Sequence, residues 1–331
     1  MSAISAGGTR LLGGSEIAVS ALGLGCWAIG GPMRGADGKA IGWGAVDDGE
    51  SVRAIRRALD LGVTFFDTAD VYGGGHSERI LGEALGADRD GVVIATKFGN
   101  TFAGREATGT DVTPAYVRRA CEASLSRLGT DRIDLYQLHV GELPEAESDA
   151  VAGVLEDLVA EGAIRAYGWS TDNPAWAERW AKRGTCSAIQ NTLNVFQDAP
   201  AIVAVCERYG LACINRSPLA AGFLTGKYAP GVRVGAGDWR VDQREWSAFF
   251  DADGEPEPQW LERLAAIREI LTSEGRTLAQ GAIAWLWARS PATIPIPGFK
   301  TVAQAEENAG ALAHGPLRPE QLAEIAALLA V

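Results

Sequence analysis

The sequence predicts a (β/α)8 barrel of the TIM type, with an N-terminal hairpin, a long insertion after the seventh strand and an extra C-terminal helix. Three observations predict it. Short runs rich in Val, Ile, Phe and Tyr alternate with amphipathic stretches eight times along the chain. The apolar runs end in polar, Gly-bearing turns, as parallel strands that feed helices do. The 331 residues exceed an average domain but suit such a barrel, so residues 1–331 are expected to form one domain.

The elements follow in order. Residues 9–20 (TRLLGGSEIAVS) read as a hairpin turning at Gly13-Gly14 and closing the bottom of the barrel. ALGLGCW is the first strand, and GESVRAIRRALDLG an amphipathic helix stopped at Gly62. VTFFD leads to the helix SERILGEALG, with Ser77 as its expected N-cap and Gly86 as its stop. VVIATK leads to TPAYVRRACEASLSRLG, where Thr113 caps and Pro114 takes the first helical turn. IDLYQLH precedes SDAVAGVLEDLVAEG, IRAYGWS precedes NPAWAERWAKRG, and SAIQNTLN precedes DAPAIVAVCERYG. LACINRS, the seventh strand, is followed by the insertion 228–258 and then by WLERLAAIREILTSEG and TLAQGAIAWLWARS. ATIPIPG is the eighth strand and leads to TVAQAEENAGALA; residues 317–330 form a last amphipathic helix. A connection as long as 228–258 is usually functional, and it is expected to cover a ligand.

Composition narrows the function. A net charge of −12 argues against nucleic acid, which needs basic patches. No apolar run approaches the roughly 20 residues of a membrane span. The start, MSAISAGGTRLLGG, lacks the basic and apolar regions of a leader. Five cysteines (Cys26, Cys121, Cys186, Cys206, Cys213) have no metal-type spacing and read as reduced core residues of a cytoplasmic protein. With three histidines, none near a cysteine pair, no metal site is expected.

Four residues at or just past strand ends carry the chemistry: Asp67 and Tyr72 in FFDTADVYG, Lys97 in VIATKFG and His139 in DLYQLHV. In a parallel barrel such positions converge on one face. An ammonium at the end of an apolar strand is costly unless paired, and Asp67 is the natural partner of Lys97. A Tyr hydroxyl beside that lysine makes a phenol able to act as an acid, with its pKa expected to fall from about 10 toward working pH. Such machinery suits carbonyl reduction. His76, in a Gly-rich turn before a helix, reads as a loop residue. Trp27, Trp43 and Trp239 are candidate walls of the substrate pocket, Trp27 foremost because it follows the first strand.

The segments GVTFFDTADVYGGGHSERILGEAL, VVIATKFG, DRIDLYQLH, SPLAAGFLTGK and IPGFKTVAQAEENAGAL occur in this order, and through them residues 9–331 resemble the aldo-keto reductases. The resemblance implies NADPH-dependent reduction of aldehydes and ketones, without metal or flavin, and gives His139 the task of orienting the carbonyl oxygen. It places the nicotinamide carboxamide on Ser170 and Gln190, with Asn191 a weaker candidate; Thr171 stands where many relatives have Asn. Ser217, Leu219, Gly222 and Lys227 match the segment along the pyrophosphate, and Gly298, Lys300, Thr301, Gln304, Glu307 and Asn308 the adenosine end. Lys300 and Thr301 begin a helix, where a 2′-phosphate is favoured, so NADPH is expected over NADH, although NADH is possible and many relatives have Arg where this chain has Gln304. Arg216 stands where many relatives stack an aromatic ring on the nicotinamide. A guanidinium can stack too, and it would disfavour the positively charged oxidised ring; a salt bridge to a carboxylate is the alternative. Two other functions remain open: a Schiff-base aldolase using Lys97, which would need a neutral lysine, and a binding partner with little turnover, as in the related β subunits of potassium channels. The substrate class expected is a small carbonyl compound; the oligomeric state is not legible.

Overall fold

A computed structural model describes residues 8–235 and 237–330; residues 1–7, which belong to the stretch read for a leader, lie outside the described residues. The first described elements are β1 (Thr9–Leu11) and β2 (Ala18–Ser20), an antiparallel pair joined by the expected Gly13-Gly14 turn. The barrel follows as β3 (Leu24–Gly25), α1 (Asp48–Asp60), β4 (Phe65–Asp67), α2 (His76–Leu85) and β5 (Val93–Phe98). A second hairpin, β6 (Asn100–Ala103) and β7 (Glu106–Thr110), then leaves the barrel, and the sequence reading had not anticipated it. Next come α3 (Pro114–Leu128), β8 (Ile133–Leu138), α4 (Glu145–Ala160), β9 (Ile164–Ser170), α5 (Pro174–Ala181), β10 (Ala188–Thr192), α6 (Pro200–Tyr209) and β11 (Ala212–Arg216). The last part comprises α7 (Trp239–Asp242), α8 (Pro258–Thr272), α9 (Leu278–Arg289), β12 (Thr293–Pro295), α10 (Val302–Gly310) and α11 (Pro319–Leu329).

Eight strands pair in parallel in the order β12-β11-β10-β9-β8-β5-β4-β3. Hydrogen bonds from Gly23 N to Pro295 O and from Gly25 N to Pro297 O, both 3.0 Å, with a bridge between Gly25 and Gly298, join the two ends into a barrel. Side chains alternate along a strand, so each strand sends every second residue inward. The lower inward positions are apolar: Phe65, Val93, Ala95, Leu135, Ala166, Ala188, Ala212, Ile214 and Ile294 form one buried cluster with Leu12, Ile17 and Val19 of the hairpin. The hairpin therefore plugs the end of the barrel where the strands begin. Continuing inward by twos toward the strand ends gives Asp67, Lys97, Gln137, Ser170, Gln190 and Arg216, where apolar packing yields to polar groups.

The helix starts obey their local chemistry. Asp47, Thr113, Asn173 and Thr277 each accept a hydrogen bond from the first turn. Ser77 does not cap α2, as the sequence had suggested. Gly73, Gly74 and Gly75 all take positive φ and carry the chain into the helix at His76. A Cβ on Gly73 would fall 2.0 Å from Gly30 O, and one on Gly74 1.8 Å from Gly104 O, so only glycine fits both positions. Ser77 lies buried inside the first turn, where its hydroxyl donates to Cys26 O at 2.7 Å. His76 opens α2 and pairs with Asp48 at 2.8 Å. All five cysteines are free and buried, and no described helix is long and apolar enough to cross a membrane.

Candidate active site

Asp67, at the end of β4, is the hub. Its carboxylate receives Lys97 Nζ at 2.5 Å, Gln137 Nε2 at 3.1 Å and Gln190 Nε2 at 2.8 Å. Lys97 is fully buried and also donates to Thr68 O at 2.8 Å and to the Tyr72 hydroxyl at 3.2 Å. Burial alone would lower the lysine, yet Asp67 and Tyr72 outweigh it and hold its pKa above the ordinary value, so the ammonium stays charged.

Tyr72 is half-buried on the cavity floor, edge-on to His139 at 5.8 Å and stacked under Trp27 at 6.0 Å. Its pKa lies above the ordinary value of 10.0, chiefly through burial, with Lys97 acting in the opposite direction and Asp67 adding to the rise. This corrects the expectation that Lys97 brings the phenol down toward working pH. The lysine charge is largely spent on Asp67, and desolvation of a phenolate costs more than the remainder returns. The phenol holds its proton firmly. His139 sits beyond the end of β8; burial, then Lys97 and Arg216, push its pKa well below 6.5, so the ring is neutral. Its Nδ1 is buried and lacks a hydrogen-bond partner.

A cavity of about 1150 Å³ opens above these groups and runs across the strand ends to α10. It touches Asp67, Tyr72, His139, Ser170, Gln190, Arg216, Ser217, Leu219, Gly222, Lys227, Gly298, Lys300, Gln304, Glu307, Asn308, Trp27, Trp43 and Trp239. Lys97 lies beneath it and meets it only through Asp67 and Tyr72. Thr301 is not on its wall: its hydroxyl caps α10 by accepting from Gln304 N at 3.3 Å. Asn191 faces out of the barrel, bonded to Thr192 O and to Cys213, because it alternates with Gln190. Thr171 donates to Gly141 O at 2.7 Å.

Arg216 corrects a second expectation. Its guanidinium lines the cavity, but it is bonded to Thr192 Oγ1 and paired with Asp172 at 2.5 Å. The carboxylate neutralises much of the charge that was to disfavour an oxidised ring, so the salt-bridge alternative is the observed one. Asp172 also accepts Thr192 N at 2.7 Å and so ties the ends of β9, β10 and β11 together.

The insertion closes the cavity from above. Trp239 N donates to Gly42 O at 3.1 Å, and Ala40 N to Asp242 Oδ2 at 2.8 Å, fastening α7 to the loop after β3. Trp27, Trp43 and Trp239 pack as one aromatic wall, with centroids 5.2–5.6 Å apart. Buried Arg240 pins it from behind, bonded to Asp238 at 2.7 and 2.8 Å, to Ala221 O at 2.9 Å and to Tyr228 Oη at 2.5 Å.

Ser217, Ala220 and Ala221 adopt positive φ (54°, 47° and 55°), which is uncommon for residues bearing a Cβ. A Cβ on Gly298 would meet only Gly25 O, at 3.8 Å, so that face is open. Lys227 is depressed by burial and by Arg240, while the nearby carboxylate of Asp238 is taken by Arg240. An anionic group entering beside Lys227 would find an under-neutralised cation.

Sequence reading missed Gln137 and Asp172, and it placed Arg240 in the covering insertion without a partner. Gln137 carried a signal, since it lies two residues before His139 on the inward face of β8. Asp172 had none, because its partners Thr192 and Arg216 lie on other elements. Among the described residues no cluster could hold a metal ion.

Comparison with known proteins agrees with this architecture. The family model described as "Aldo/keto reductase family" matches residues 21–330. A probable aldo-keto reductase of Glycine max is 31% identical over 313 residues, covering 91% of this chain and 83% of its own. A glycerol dehydrogenase of Gluconobacter oxydans superimposes with a TM-score of 0.81 at 29% identity, covering 97% of this chain and 95% of its own. An aldo/keto reductase of Klebsiella pneumoniae, solved in complex with NADP and acetate, gives 0.69 at 27% identity, covering 96% and 94%.

Proposed function

The chain belongs to the aldo/keto reductase family and is an oxidoreductase, and from that premise we propose that it reduces small aldehydes or ketones to alcohols with NADPH, Tyr72 serving as the acid. The observation that carries the reading is the Asp67–Lys97–Tyr72 chain, 2.5 and 3.2 Å between successive members, beneath a cavity of about 1150 Å³ that runs on to α10.

Bound NADPH supplies the hydride that reaches the carbonyl carbon. The residues do the rest. Tyr72 donates its proton to the oxygen as negative charge gathers there. The charged Lys97, 3.2 Å away, stabilises the phenolate left behind. Asp67 keeps Lys97 charged and oriented, and Gln137 and Gln190 fix Asp67. Neutral His139 positions the carbonyl oxygen by a hydrogen bond from a ring N–H. Ser170 and Gln190 border the region for the carboxamide, Lys227 suits the pyrophosphate, and the open face of Gly298 suits the adenosine end. The aromatic wall of Trp27, Trp43 and Trp239 excludes water and borders the substrate space.

A Schiff-base role for Lys97 is disfavoured, because an amine held charged by Asp67 is a poor nucleophile. The test is NADPH consumption, followed by absorbance, over aromatic aldehydes, dicarbonyls of the methylglyoxal type and simple ketones. Turnover of at least one class supports the reading. Tight dinucleotide binding without turnover of any carbonyl would instead favour a cofactor-binding partner protein.

A further inference from the structure

At the adenosine end of the cavity, the donors that a 2′-phosphate would use are already engaged. A phosphate bound at the start of α10 would use the amide of Val302 and the neighbouring donors of Lys300. The Val302 amide already donates to Glu50 Oε1 at 2.8 Å. Lys300 N donates to Gln304 Oε1 at 2.7 Å. Lys300 Nζ reaches away to Trp43 O at 2.5 Å and Ala45 O at 3.1 Å.

We propose that Glu50 sets the cofactor preference of this protein by competing with the 2′-phosphate of NADPH for the amide of Val302. The proposal rests on the reading of this end of the cavity as the adenosine pocket, marked by Lys300, Gln304, Glu307 and Asn308 on its wall.

Glu50 reaches that amide from the first turn of α1, whose N-cap is Asp47. Helices α1 and α10 lie side by side, joined further along by the Arg57–Glu306 pair at 2.7 Å. The second carboxylate oxygen of Glu50 is held by Arg53 at 2.7 Å, so the side chain is fixed at both ends. Val302 and Arg53 keep this carboxyl below the usual range, and it is charged wherever the protein works.

A carboxylate and a phosphate cannot share one N–H. A ribose 2′-hydroxyl can donate to the carboxylate and leave it in place, which is how acidic side chains select NAD-type cofactors on other folds. NADPH therefore binds only as Glu50 gives up Val302, whereas NADH binds without that displacement. Discrimination between the two becomes a property of one side chain that touches neither the reacting atoms nor the barrel interior.

The test is the dissociation constant of NADPH and of NADH, measured by quenching of tryptophan fluorescence, for the full chain and for Glu50→Ala and Glu50→Gln. Glu50→Ala is expected to tighten NADPH about tenfold, the scale of one like-charge contact at a protein surface, and to leave NADH within about twofold. Glu50→Gln keeps an acceptor for Val302 while removing the charge, and it should give part of the gain. An unchanged NADPH-to-NADH ratio in both variants, or weaker NADPH binding in either, would overturn the proposal. Failure of the unaltered chain to bind either dinucleotide would overturn it together with the proposed function.

Discussion

The two ends of the cavity are built on different principles. At the floor, Asp67, Lys97, Gln137 and Gln190 stand on neighbouring strands, and their hydrogen bonds follow from strand register. At the far end, Lys300, Gln304 and Glu50 stand on a loop and two helix starts; Lys300 N is held by nearby Gln304, while the bonds from Lys300 Nζ to Trp43 O and from Val302 N to Glu50 each span more than 250 residues of sequence. The floor is a preorganised apparatus, with each charge buried beside its partner. The far end is a set of exchangeable contacts, which a ligand must rearrange to enter.

The sharpest way to break this comparison is to make the same substitution at both ends. Lys97→Met leaves the Asp67 carboxylate buried without its cation, and it should cost about 3–5 kcal/mol in a denaturant melt and abolish turnover. Lys300→Met removes only hydrogen bonds to two carbonyls from a half-buried residue, and it should cost about 1 kcal/mol. Equal costs would mean that the floor is no more preorganised than the rim.

A pH profile sharpens the comparison next. Tyr72, raised above 10.0, keeps its proton through the neutral range, and His139, depressed well below 6.5, stays neutral there. The rate of carbonyl reduction should then be level from about pH 6.5 to 9. Stability behaves otherwise on the acid side. The depressed His139 contributes fully above its unfolded value of about 6.5, and that contribution is lost as pH falls through the lower folded value, because the unfolded chain binds the proton first. An acid limb centred near 6.5 in the rate, rather than in the melting profile, would contradict the neutral, enclosed imidazole.

The smallest effect is expected between the two ends. Ala221 holds φ 55° and ψ 28° in the segment that faces Arg240 and Lys227. Ala221→Gly relieves roughly 1–2 kcal/mol of left-handed strain and loses part of it to the greater freedom of the unfolded chain. A net gain of about 0.5–1 kcal/mol in the melt is the expected result, with no loss of dinucleotide binding.

The same division decided what the sequence revealed. Eight alternations of strand and helix, and glycines such as Gly62 and Gly86 at helix ends, made the barrel legible. The polar floor was legible because strand ends share one face; Asp67, Lys97 and Tyr72 could be grouped from sequence alone. Gln137 was legible in principle, being two residues from His139. The hairpin β6–β7 was not, since two glycines and the charged Arg105 and Glu106 interrupt TFAGREATGT, and only Phe102 and Ala107 pack on a buried cluster. The Ser77 cap was misplaced because three left-handed glycines started the helix early. Pairings such as Asp172–Arg216 and Glu50–Val302 join distant elements, and local pattern carries no trace of them. The direction of the Tyr72 shift was misjudged for a related reason, since charge proximity can be read from motif order but the depth of burial cannot.

The most direct test of the central claim is Tyr72→Phe, assayed for carbonyl reduction and, separately, for dinucleotide affinity. The substitution removes the hydroxyl and keeps the ring that packs between Trp27 and His139. The account predicts a loss of about 10²–10⁴ in kcat with NADPH affinity within about twofold of the unaltered chain. A kcat within about tenfold of the original, at unchanged affinity, would show that the proton comes from elsewhere.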